Sequence, residues 1–97
     1  MQELPVTVLN EWIQVGKPFL LVDVREPFEH ELFNIGGQLI PLGELMTRRQ
    51  EIPKDLPVVL YCEKGIRSTI AIQRLEALGF QHLYNLTGGM KAYRQHL

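Results

Sequence analysis

The 97-residue sequence predicts an α/β domain built on a mostly parallel sheet, and three observations carry that prediction. Short apolar runs bounded by turn residues alternate with segments of helical periodicity, as expected of strands joined through crossover helices. The runs at 19–24 and 58–61 are nearly continuously apolar rather than alternating, which suits strands covered on both faces. Two polar clusters, Asp23-Val24-Arg25-Glu26 and Cys62-Glu63-Lys64-Gly65-Ile66-Arg67-Ser68, stand where strands end, and in such sheets ligands sit at carboxyl ends.

The elements follow in chain order. Residues 8–15 form a helix with Leu9, Trp12 and Ile13 on one face, Thr7 as N-cap and Gly16 as stop. The breaker Gly16-Lys17-Pro18 precedes the strand at 19–24, and Pro27 opens a short helix over 27–32. Residues 38–40 form a weak strand and residues 43–50 a helix. Pro53-Lys54-Asp55 leads into the strand at 57–62. A helix over 66–78 spaces Ile66, Ile70, Leu75 and Leu78 along one face, with Gly79 just past its end. A strand at 82–86 and a helix over 89–95 complete the chain. No repeat, charge block or linker divides it, so residues 1–97 are read as one domain.

Composition narrows the function. Apolar residues make up 45% and charged residues 22%, ordinary globular usage. Ten Lys+Arg against eleven Asp+Glu give a formal charge of −1, so no global basic field recruits nucleic acid or a membrane surface. No apolar run approaches the ~20 residues of a membrane helix, and the start of the chain has no signal-peptide pattern. One cysteine makes neither an internal disulfide nor a Cys-rich zinc site, and His30, His82 and His96 have no metal spacing. The expectation is a cytoplasmic domain with a single thiol. Trp12 is expected in the core and Arg48-Arg49 on a solvated face.

That thiol closes a strand, with a helix beginning a few residues on. The loop between them aims successive backbone N–H groups inward, Gly65 permits the positive φ this requires, and Lys64 and Arg67 add positive charge. Ser68 or Thr69 supplies a hydroxyl or a cap. Each of these favours thiolate over thiol and holds an anion beside the sulfur. The competing reading is an inert, buried cysteine. Cys62 and Arg67 enclose four residues, one fewer than the C-x5-R loop of cysteine phosphatases, so the cradle is too tight for a phosphoryl group.

These motifs resemble those of the rhodanese, or thiosulfate sulfurtransferase, domain family in its single-domain form. Asp23-Val24-Arg25-Glu26 is similar to the family's D-x-R-E segment, and Asn34-Ile35-Gly36-Gly37 with Ile40-Pro41 to its H-I-x-G…I-P segment, with Asn34 in place of the histidine. Cys62-Glu63-Lys64-Gly65-Ile66-Arg67-Ser68 resembles its C-x-x-G-x-R-S loop, and Leu86-Thr87-Gly88-Gly89-Met90-Lys91-Ala92-Tyr93 its closing L-x-G-G-x-x-A-[WY] signature. The form around Asn34 is similar to rhodanese domains fused to adenylyltransferases of molybdopterin or thiamine synthesis.

The resemblance implies a three-layer fold with a five-stranded, mostly parallel central sheet. It implies a Cys62 thiolate that takes the sulfane sulfur of thiosulfate or a persulfide donor and passes it to a thiophilic acceptor, a sulfur-carrier protein among the candidates. No cofactor is required. Residues 63–68 (Glu63, Lys64, Gly65, Ile66, Arg67 and Ser68) form the substrate cradle. Arg67 binds the anion and fixes the loop, Lys64 sits at the rim, and Glu63 tunes partner preference. Arg25 either joins substrate binding or, with Asp23, supports the loop. The rival function is a rhodanese-fold interaction module with little turnover. Nothing in the sequence specifies an oligomeric state.

Overall fold

The structure, a computed structural model, describes residues Met1–Leu97. Its elements are β1 (Gln2–Leu4), α1 (Val6–Val15), β2 (Leu20–Asp23), α2 (Pro27–Leu32), β3 (Gln38–Leu39), β4 (Val58–Tyr61), α3 (Ile66–Glu76), β5 (Leu83–Leu86) and α4 (Gly89–Gln95). All five strands are parallel in the order β1-β5-β4-β2-β3, so β4, which leads to Cys62, runs through the middle of the sheet.

Alternation along the strands distributes the core to both faces. Val58, Leu60 and Cys62 face a cluster with Ala71, Ile72 and Leu75 of α3. Val59 and Tyr61 face the other way, against Leu9 of α1 and Met90 of α4. β2 and β4 are therefore buried on both sides, which is why their sequences read as apolar runs. The three-layer α/β fold and the five-stranded sheet are as expected.

Several local expectations change. β1 has no apolar run of its own; it exists because β5 leaves an open edge, where Glu3 registers with Asn85. Chain entry from that strand moves the start of α1 back to Val6, with Pro5 rather than Thr7 at the N-cap and its carbonyl accepting from Val8 and Leu9. The helix turns Val6 and Leu9 inward and leaves Ile13 exposed. Trp12 is half-buried, packed edge-on against Tyr84 with Lys17 over its ring. Residues 43–50 are not one helix but parts of two 3-10 turns, Leu42–Glu44 and Arg49–Glu51. A single α-type bond, from Arg48 N–H to Glu44 O, is not continued, while Arg48 ion-pairs with Glu44 and Glu51. α3 buries Ser68, Ala71, Ile72 and Leu75, leaving Ile66 at its exposed start and Leu78 beyond its end. No helix is long and apolar enough to cross a membrane.

Candidate active site

Cys62 leaves β4 at the carboxyl edge of the sheet and is 1% exposed. The chain then turns through Glu63-Lys64-Gly65, with Gly65 in the left-handed region (φ +93°) at the N-cap of α3. This turn brings the amide N–H of Gly65 to 3.1 Å and that of Ser68 to 3.4 Å from Cys62 Sγ. Two donors thus converge on the sulfur from the first turn of an eleven-residue helix, so negative charge there meets N–H groups and the positive helix end.

The carbonyls of the same turn face α4. Cys62 O accepts from Met90 N–H and Glu63 O from Lys91 N–H, both at 2.9 Å. Gly89 makes that approach possible. Its φ is +59°, and a Cβ there would stand 2.3 Å from Cys62 O and 2.7 Å from Glu63 O. The final G-G pair therefore lets α4 hold the outer side of the loop while the loop amides turn inward.

Ser68, fully buried, places Oγ 3.4 Å from Sγ and 2.5 Å from Asn85 Oδ1. Asn85 Nδ2 donates to both carboxylate oxygens of Glu3, at 3.3 and 3.2 Å. A carboxylate only accepts, which orients the Asn85 amide and commits the Ser68 proton to Oδ1. Glu3 and Asn85 were missed from the sequence. A polar side chain within the strand run at 82–86 was the available signal for Asn85; nothing local marks Glu3.

A cavity of about 330 Å³ opens above the sulfur, lined by Glu29, Cys62, Glu63, Lys64, Ile66 and Arg67. Five of these were expected, and Glu29 was not. Arg67 makes a two-pronged pair with Glu29, Nη1 to Oε1 at 2.7 Å and Nη2 to Oε2 at 2.9 Å. Hydrogen bonds from Arg67 lower the Glu29 pKa to about 2, and the same bonds raise that of Arg67. Glu29 is the third residue of α2 and closes a capping box with Glu26, a pattern readable in Glu26-Pro27-Phe28-Glu29. Glu63 pairs with Arg94 of α4, and Lys64 is exposed with no ion pair.

Asp23 and Arg25 are not among the residues that line this cavity. Arg25 is 2% exposed. Its Nε donates to Asp23 Oδ1 at 3.0 Å, and its Nη2 to Asp23 Oδ2 at 2.9 Å and Phe33 O at 2.6 Å. His30, read from the sequence as a surface or capping residue, places Nδ1 2.8 Å from Asp23 Oδ2. Burial pushes the Asp23 pKa up, but hydrogen bonds from Arg25 and His30 outweigh it and hold the carboxyl low. Nε and Nη2 of Arg25 are thus paired with Asp23 and Phe33 inside the protein, the ion pair that one of its two sequence readings expected. The cluster ties the end of β2 to α2, the helix that carries Glu29.

The fold and site define an α/β domain whose one thiol stands at the end of the central strand, cradled by the amides of the following helix. The Rhodanese-like domain family model matches residues 6–96, and the chain belongs to the rhodanese family. It is 42% identical over 94 residues to the uncharacterized protein YqhL of Bacillus subtilis, covering 95% of this chain and 75% of YqhL. It is 35% identical over 97 residues to a sulfurtransferase of Allochromatium vinosum, covering 99% of this chain and 91% of that protein. The probable adenylyltransferase/sulfurtransferase MoeZ of Mycobacterium tuberculosis is 34% identical over 92 residues, covering 92% of this chain but only 24% of MoeZ. Among solved structures, a rhodanese-like domain protein from Staphylococcus aureus superposes with a TM-score of 0.88 at 28% identity, covering 96% of this chain and 91% of that one. Sulfurtransferase chemistry is thus supported at the level of the family.

Proposed function

We propose that this protein is a sulfurtransferase that carries sulfane sulfur as a persulfide on Cys62. The observation that carries the reading is the pair of amides, Gly65 and Ser68, converging on Sγ beneath an open cavity. Cys62 thiolate attacks the outer sulfur of a donor, the donor's S–S bond breaks, and its remainder leaves with the bonding pair. With thiosulfate the leaving group is sulfite, and Cys62-S-S⁻ remains. A second nucleophile then attacks the outer sulfur and restores the thiolate, a two-step transfer with ping-pong kinetics. The inward amides stabilise the anion at each stage as an oxyanion hole does for oxygen. No second thiol lies within these 97 residues, so the acceptor lies outside this domain. A thiophilic small molecule or a sulfur-carrier protein in the cytoplasm fits that role. Arg67 fixes the loop through Glu29, and Arg25 with Asp23 acts as a positioning pair.

Mass spectrometry tests this directly. Incubation with a sulfane-sulfur donor is expected to add one sulfur atom to Cys62, and Cys62→Ser is expected to remain unmodified. Failure of every donor to load the protein would favour the interaction module instead. Cys62-dependent hydrolysis of an aryl phosphate would contradict the tight-cradle reading.

A further inference from the structure

The charges that line the cavity are mostly spoken for. Two carboxylates, Glu29 and Glu63, face two cations, Lys64 and Arg67, so the lining other than Cys62 sums formally to zero. Arg67 presents its fork to both oxygens of Glu29, the arrangement an oxyanion of a substrate would otherwise occupy. Glu63 is paired with Arg94, which leaves Lys64 as the one lining cation without an ionic partner. Glu29 does not move aside cheaply. Its Oε1 also accepts from Glu26 N–H at 3.0 Å in the capping box of α2. That helix is held at its other end by the His30–Asp23 and Arg25–Phe33 contacts. A doubly charged donor entering here meets a fixed carboxylate and only one free cation.

The surroundings suit a different kind of molecule. Ile66, in the cavity lining, is 66% exposed, and Phe28 and Leu32 on α2, the helix of Glu29, are 64% and 82% exposed. Ile66 at the cavity, with these two exposed apolar side chains on the helix of Glu29, offers contact to an organic body, which an inorganic dianion lacks.

We infer that Glu29 is a specificity-determining residue that sets the charge of the sulfur donor, and that the site takes sulfane sulfur from an organic, singly charged or neutral carrier in preference to dianionic thiosulfate. This rests on the sulfur-transfer reading of Cys62. With an organic persulfide the step is Cys62-S⁻ + R-S-SH → Cys62-S-SH + R-S⁻. The new S–S bond forms to Cys62 as the old one breaks, and the pair leaves on R-S⁻.

The test compares Glu29→Gln with the wild type, using thiosulfate and methanethiosulfonate as dianionic and monoanionic donors and reading the second-order rate of sulfur gain on Cys62 by mass. Comparing each donor with itself across the two proteins cancels intrinsic reactivity. Coulomb energy is proportional to donor charge, so the gain with the dianion should be the square of the gain with the monoanion, roughly tenfold against roughly threefold. Glu31→Gln, an exposed carboxylate on the same helix outside the cavity lining, should change either rate by less than about twofold. Glu29→Ala should reproduce the unequal gains, and urea titration of each variant reports whether α2 is intact. Equal factors for the two donors, or no change with either, would overturn the inference and leave Glu29 only a structural partner of Arg67. No adduct from either donor, nor from an organic persulfide, in any of these proteins would remove the sulfur-transfer reading itself.

Discussion

Replacing Gly89 by alanine measures how tightly α4 is coupled to the Cys62 loop. The new Cβ falls 2.3 Å from Cys62 O and 2.8 Å from the carbonyl carbon of Glu63, so α4 and the loop must separate. Two 2.9 Å bonds, Met90 N–H to Cys62 O and Lys91 N–H to Glu63 O, are then lost. Each is worth about 1 kcal/mol net, and more if its carbonyl stays buried without a partner. The left-handed backbone at φ +59° adds about 1 kcal/mol for any residue with a Cβ. The expected cost is about 3–5 kcal/mol, a large part of the roughly 5–15 kcal/mol that holds such a domain together. Gly16→Ala supplies the comparison: its φ is +69°, but nothing lies within 4 Å of the new Cβ, so only the backbone cost of about 1 kcal/mol applies. Urea unfolding of both variants gives the stabilities, and the rate of sulfur loading at Cys62 reports the loop. If both variants lose the same stability to within about 0.5 kcal/mol and load at the wild-type rate, α4 and the Cys62 loop are not coupled.

Two further outcomes follow from the charged clusters. Arg25→Ala leaves Asp23 buried without its main partner and should cost about 3–5 kcal/mol in urea unfolding; a raised KM at unchanged stability would instead return Arg25 to the substrate. Glu29 has its pKa lowered from the usual 4.5 to about 2, so its contribution is fully present above about pH 4.5 and is lost as pH falls toward 2. The stability difference between wild type and Glu29→Gln should therefore shrink between pH 5 and pH 2.5 by urea titration, and a constant difference would contradict the pairing.

What was legible in the sequence depended on how local the cause was. β2 and β4 declared themselves because burial on both faces makes their sequences apolar. β1 did not, since Gln2 and Glu3 are exposed and the strand is defined by pairing with residues 84–86. The cysteine loop was readable because its thiol, its glycine and its helix start lie within seven consecutive positions. Glu29 and Asn85 reach it across 38 and 17 residues, and no periodicity announces contacts of that kind. Arg25 and His30 were visible as polar side chains near a strand end. Whether such side chains face solvent or one another is decided by how α2 docks, which the local sequence does not specify.

The wiring of the cradle also bears on how the site is assembled. Residue 3 holds Asn85, residue 29 holds Arg67, and residues 90 and 91 hold the turn at 62 and 63. No contiguous stretch of chain contains all of these partners, and every neighbouring strand pair in the sheet is parallel and must be closed over a long loop. A half-folded chain therefore has the thiol but not the environment that makes it useful. During refolding, competence to accept sulfur should return with the slowest phase that completes the sheet, making the reactivity of one atom a clock for the whole molecule.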